Sequence, residues 1–154
     1  MNTDDLKQIL QKGEGQFVEF KETLDNSLSK EITAFANASG GRIFLGIHDD
    51  NKITGIPVTN RLKSQIMDIA NNCDPKVFLT LEESDNILIV NVPEGDNKPY
   101  QCAKGFYLRL GPNSQKLTRD EVLKLVIKEN KIRFDEQVCP NFDFKDFDDD
   151  NFDR

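Results

Sequence analysis

The sequence predicts an α+β domain with a mixed β-sheet and packed helices. Three observations carry that prediction. Apolar residues recur at helical spacing in some segments and alternate or run together in others, interleaved in the order α-β-α-β-β-α-β-β-β-α. Turn residues mark the boundaries, among them Gly13, Gly40-Gly41, Asp50-Asn51, Asp85-Asn86 and Gly111-Pro112. The length, 154 residues, suits one domain with a sizeable core, expected over residues 1–130 and followed by a tail over 131–154.

Leu6, Ile9 and Leu10 stand at i, i+3, i+4 in residues 4–12, a short amphipathic helix that Gly13 stops. Residues 17–21 alternate as a strand, with Val18 and Phe20 on one side and Phe17 and Glu19 on the other. Asn26 or Ser27 caps the next helix. Its stripe of Leu28, Ile32, Phe35 and Ser39 is narrow and flanked by small residues such as Ala36, which suits close packing on a sheet. Gly40 or Gly41 ends it in a left-handed conformation. Residues 42–48 form a buried strand through Ile43, Phe44, Leu45 and Ile47, and Asp50-Asn51 turns the chain into a returning strand at 52–56.

Thr59 caps a third helix over 61–71, with Leu62, Ile66 and Ile69 inward. Residues 77–82 and 87–92 read as two strands joined around Ser84-Asp85-Asn86. Residues 93–99 are a loop, 106–110 another strand and 111–114 a second loop. Thr118 and Glu121 have the spacing of a capping box, which starts a last helix carrying Val122, Leu125 and Val126. After Asn130 the period is lost, and residues 141–154 set Phe142, Phe144, Phe147 and Phe152 among six Asp. Such a tail is expected to pack on a partner or on further chain.

Composition narrows the function classes. No apolar run approaches the ~20 residues of a membrane span, and the first residues lack the basic-then-apolar layout of a signal peptide, so a cytoplasmic protein is expected. Cys73, Cys102 and Cys139 are scattered and odd in number, and His48 is the one histidine, which argues against a disulfide framework and a zinc ribbon. The net charge is −7, of which residues 141–154 carry −4. Residues 97–119 contain no acid and five bases, Lys98, Lys104, Arg109, Lys116 and Arg119, so a locally positive face is expected on an acidic chain.

Three constellations could carry chemistry. Glu14, Glu19 and Asp49 lie at the ends of two strands; if those strands are neighbours, an oxygen cluster of this kind suits Mg²⁺ or Mn²⁺, and the plainer reading is solvated acids at strand ends. Asn37 precedes Gly40-Gly41 at a helix end, where the dipole has the wrong sign for anions, so Asn37 reads as a structural hydrogen-bonder. The acid-free run interleaves Tyr100, Phe106 and Tyr107 with its cations, as nucleic-acid surfaces do. Its plainer reading puts Phe106, Leu108 and Leu110 in the core and Tyr107 and Arg109 on an outward face. No Walker lysine motif occurs, so nothing supports ATP hydrolysis. His48 is given no catalytic role.

The blocks EGQFVEFK at 14–21, AFANASGGRIFLGIHDDNKITGI at 34–56, KPY at 98–100 and YLRLGPNSQKLTRDEV at 107–122 resemble, in order and spacing, the Schlafen Alba-like DNA-binding domain. The resemblance spans residues 6–126. In bacteria such domains open longer proteins described as transcriptional regulators or helicase-like proteins. The resemblance therefore implies DNA binding, with backbone contacts from Lys21, Lys98, Lys104, Arg109, Lys116 and Arg119, and further chain beyond the tail. Schlafen ribonucleases are similar over the same block and use an E-x-x-x-x-E pair and a later Asp with Mg²⁺ or Mn²⁺, which maps onto Glu14, Glu19 and Asp49. They also pair two lobes, a role a homodimer could fill. The expected function is a nucleic-acid-binding module, DNA before RNA, in a transcriptional regulator. A divalent-metal endoribonuclease and a protein-assembly module are the alternatives.

Overall fold

The computed structural model describes residues 3–136. Its elements are helix α1 (Thr3–Lys12), β1 (Val18–Lys21), α2 (Leu28–Asn37), β2 (Gly41–Leu45), α3 (Asn60–Asn71), β3 (Thr80–Ser84), β4 (Ile87–Val92), β5 (Gln101–Cys102), β6 (Gly105–Leu110), β7 (Asn113–Lys116) and α4 (Arg119–Glu136). The α+β class is as the sequence predicts. Because α4 runs to Glu136, it crosses the boundary expected at residue 130. The Phe-rich segment 141–154 lies outside the described residues.

Two sheets enclose the central helix. The first is mixed and has the order β1-β2-β4-β3: β1 is parallel to β2, and the other pairs are antiparallel. The second is antiparallel, in the order β5-β6-β7. One face of the first sheet carries Phe20, Phe44, Ile87 and Ile89 and is covered by Leu6, Ile9 and Leu10 of α1. The other face, with Ile43, Leu45, Leu88 and Val90, packs on α2 and α3. The second sheet closes the far side of α2 through Tyr107 and Cys102.

This layering explains why α2 departs from an amphipathic pattern. Every residue from Glu31 to Asn37 is buried, because sheets lie on both sides of the helix. Ala34 and Ala36 keep the layers close. The helix ends at Gly40, whose φ is +82° and whose N–H donates to Phe35 O at 2.9 Å. A Cβ there would stand 2.8 Å from Val92 O, so both the left-handed backbone and the neighbouring strand require glycine.

Three sequence expectations are corrected. The returning strand at 52–56 is a single bridge, Ile47 to Ile53, because Gly46 (φ +110°) and Gly55 (φ +79°) bend the chain and the Thr54 and Gly55 N–H groups both donate to Gly46 O. The loop at 111–114 is a tight turn leading into β7, which pairs with β6 from Leu110–Asn113 to Tyr107–Lys116. The faces of β6 are also inverted: Tyr107 and Arg109 are buried, whereas Leu110 is 52% exposed. Alternation separates two faces but does not say which one meets the helix. Among the described residues, no helix is long and apolar enough to cross a membrane.

Candidate functional site

Arg109 is the largest fully buried side chain among the described residues, at 1% exposure. β6 aims it between β1 and α2, where the ring of Phe35 lies 4.7 Å from its guanidinium carbon. All three guanidinium nitrogens donate. Nε and Nη2 reach Gly15 O at 3.2 and 3.0 Å, and Nη2 reaches Val18 O at 2.8 Å. Nη1 reaches Glu19 Oε1 at 2.8 Å, Ser114 Oγ at 3.0 Å and Glu31 Oε1 at 3.3 Å. The Ser114 hydroxyl donates in turn to Glu31. Gln16 clasps the same hairpin, donating to Arg109 O at 3.0 Å and accepting from Gly111 N–H at 2.8 Å.

Two carboxylates thus share one arginine. Lys21 joins them, 3.7 Å from Glu31, and donates to Ser27 Oγ. Burial, then the nearby Glu31 charge, pushes Glu19 up to about 8 against the opposing pull of the Arg109 hydrogen bond. At neutral pH Glu19 is largely protonated, which leaves the Glu31 carboxylate between Arg109 and Lys21, and Lys21 has Asp25 3.6 Å away as well.

The three acids of the metal expectation are handled separately by the fold. Glu14 turns back along β1, and its Oε2 accepts the Phe20 N–H at 3.0 Å. β1 is an edge strand, so this carboxylate satisfies a donor the sheet leaves open. Glu19 is committed to Arg109. Asp49 is exposed, in the turn after β2 where Asn51 Nδ2 donates to Leu10 O at 3.2 Å. Among the described residues no group of three His, Cys, Asp or Glu side chains is placed to hold a metal ion. Glu19 is bonded to Arg109 and Glu14 to a backbone N–H, so two of the three expected metal ligands have partners within the fold.

The six basic residues also divide. Arg109 is enclosed and fully bonded, which corrects its expected place on an outward face. The Lys21 side chain is 10% exposed and ion-paired inside the same cluster. Lys98 is 15% exposed and bonded to Glu94 at 2.7 Å. Lys104, Lys116 and Arg119 are exposed. Lys104, whose Nζ donates to Asn26 O at 2.8 Å, precedes Gly105, and Gly105 faces the Lys116 side chain. Lys116 and Arg119 line one shallow groove with Gly105, Phe106 and Leu123. The second sheet therefore gathers these three cations at one edge.

Asn37 is a structural hydrogen-bonder. It is 3% exposed, and its amide donates to Tyr100 O at 2.9 Å and Tyr107 O at 2.8 Å while accepting from Tyr100 N–H at 2.6 Å. The sequence reading missed Glu31, although the signal was present: it lies three residues after Leu28 and four before Phe35, on the apolar stripe itself.

Fold and site together define a two-sheet α+β domain pinned by a buried arginine, with a basic outer edge. The Schlafen, AlbA_2 family model matches residues 14–118, and the chain belongs to that family. Membership makes it a nucleic-acid-related domain. The fold is similar to that of the DIP2311 protein from Corynebacterium diphtheriae, with a TM-score of 0.57 and 18% identity. That likeness covers 79% of this chain and 30% of the other, so the chain spans under a third of that structure. No curated protein matches the chain.

Proposed function

We propose that this chain is a DNA-binding module of a regulatory protein, and that it holds the phosphate backbone with Lys104, Lys116 and Arg119. The observation that carries this reading is the placing of three exposed cations at one end of the second sheet: Lys104 in the β5–β6 turn, Lys116 where β7 returns beside Tyr107, and Arg119 just beyond it. They come from a segment without acids, so the local potential opposes the acidic total of the chain. Arg119 has Asp120 at 3.5 Å, but both side chains are largely exposed, and a surface pair of this kind holds its charge only weakly. A homodimer would present two such edges to one duplex.

The test is fluorescence polarisation of a labelled duplex between 50 and 200 mM salt. A steep loss of affinity with salt supports the proposal, since each neutralised phosphate adds ~0.9 to the log–log slope. Salt-independent affinity, or no binding at low salt, removes it. Metal-dependent cleavage has less support, because Glu14 and Glu19 already serve the fold.

A further inference from the structure

A groove of about 350 Å³ opens at the end of the first sheet, lined by Phe17, Arg42, Phe78, Thr80, Asn91 and Pro93, among others. It exists because α1 covers only part of its face. Leu6, Ile9 and Leu10 reach the row Phe20, Phe44, Ile89. The next row, Arg42, Asn91, Thr80, is joined by direct register pairs and lies beyond them. Two phenyl rings flank this row. Phe17 is 55% exposed, and Phe78, at 80%, is the most exposed large apolar side chain among the described residues. They precede β1 and β3, the two edges of the sheet, roughly 14 Å apart at the usual strand spacing. A single exposed phenylalanine needs no explanation, but two across one groove with a guanidinium, an amide and a hydroxyl between them do.

We infer that this groove takes unpaired bases of single-stranded nucleic acid, a reading that rests on nucleic-acid binding by the domain. The chemistry matches part by part. Phenyl faces stack on any base, whatever its sequence. Arg42 supplies positive charge for the adjoining phosphate, its guanidinium carbon being 5.4 Å from the Phe44 ring centroid. The Thr80 hydroxyl can donate to and accept from base edges; the Asn91 amide donates to Glu82 and keeps its oxygen and its second N–H for a base. Glu82, two residues along β3, accepts from the Asn91 amide and faces the Arg42 charge, so it bounds the site on its acidic side. A sheet face carrying aromatics is also how other small α+β modules hold single strands.

The chain contains no tryptophan, so F78W places a single indole in the groove. The experiment titrates wild type, F78A, F17A and F78W with single-stranded oligonucleotides and the matching duplex. Single-strand affinity should fall about 5- to 150-fold in F78A while duplex affinity is unchanged. F78W should retain affinity and show quenched emission when the single strand binds. Unchanged single-strand affinity in both alanine variants, with no quenching, overturns the groove while leaving nucleic-acid binding intact. Failure of wild type to bind either form overturns both readings. Indole emission that shifts with protein concentration alone, tracked by sedimentation, would assign the groove to a second copy of the chain instead.

Discussion

Arg109 Nη1 stands 2.8 Å from Glu19 Oε1, and through this contact the second sheet is fastened to the first. Truncating the arginine would take from Glu19 its hydrogen-bond partner and from Glu31 and the carbonyls of Gly15 and Val18 one of theirs. Breaking a buried pair from one side costs about 3–5 kcal/mol. R109A is therefore expected to lose about that much in urea unfolding. R109K should recover little, because an ammonium cannot serve the fork that spans Glu19, Ser114 and two carbonyls. Wild-type stability in R109A would show that the cluster contributes nothing net.

The same pair makes stability depend on pH. Glu19 has a folded pKa of about 8 against an ordinary value of 4.5. The folded state then holds a proton that the unfolded chain releases. Its contribution is fully present below the unfolded value and is lost as pH rises toward the folded one. Melting temperature should fall between pH 5 and pH 8, and E19Q, which keeps an acceptor for Arg109 without the titration, should flatten that fall. Equal pH dependence in the two proteins, measured by scanning calorimetry, would refute this assignment.

The helices were legible because their signals are local. Leu6, Ile9 and Leu10 set α1 by spacing, and the Thr59 hydroxyl caps α3 by accepting from Leu62 N–H at 3.0 Å. Thr118 and Glu121 exchange the two bonds of a capping box at 2.8 and 3.3 Å. The second sheet was not legible. β5 is two residues long and β7, NSQK, has no apolar residue, so neither shows a strand period. Their pairing depends on β6, and the orientation of β6 depends on Glu19 and Glu31, which are 90 and 78 residues from Arg109. The spacing of Glu14 and Glu19 was visible, but the arginine that claims Glu19 was not. The same distance in sequence hid the burial of Arg109.

Asn37 offers a second check on the joint between α2 and the second sheet. It satisfies two carbonyls and one N–H that water does not reach. Leaving buried backbone groups unpaired costs about 1–3 kcal/mol each. N37A is expected to lose at least about 3 kcal/mol. N37D should be as severe, because a carboxylate would face the carbonyls of Tyr100 and Tyr107. A loss under about 1 kcal/mol in chemical denaturation would mean that the joint relaxes around the gap.

Glu14 separates a structural role from a metal-binding one. Its carboxylate accepts one edge-strand N–H, a bond that Gln can also accept. E14Q should therefore unfold like wild type, and E14A should lose only about 1 kcal/mol, because the Phe20 N–H lies at an open edge. Mn²⁺ is expected to leave the melting temperature unchanged in all three proteins. A rise in melting temperature with Mn²⁺ that disappears in E14Q, or manganese-dependent RNA cleavage lost in E19Q, would restore the carboxylates to a catalytic role.

The basic residues allow the sharpest separation. Lys104, Lys116 and Arg119 are exposed at one edge, whereas Lys21 sits beside Glu31 and Lys98 beside Glu94. If the edge holds a duplex, K104A, K116A and R119A should each weaken binding for every sequence alike. Each should also reduce the salt slope by about 0.9, and together by nearly three times that. K98A should change little, since its charge is already paired. K21A should lower stability, by freeing Glu31 from a cation, more than it lowers affinity. Thermal melts and polarisation on the same samples separate the two effects. Equal losses of affinity from all five substitutions, without differences in stability, would mean that the edge has no special part in binding.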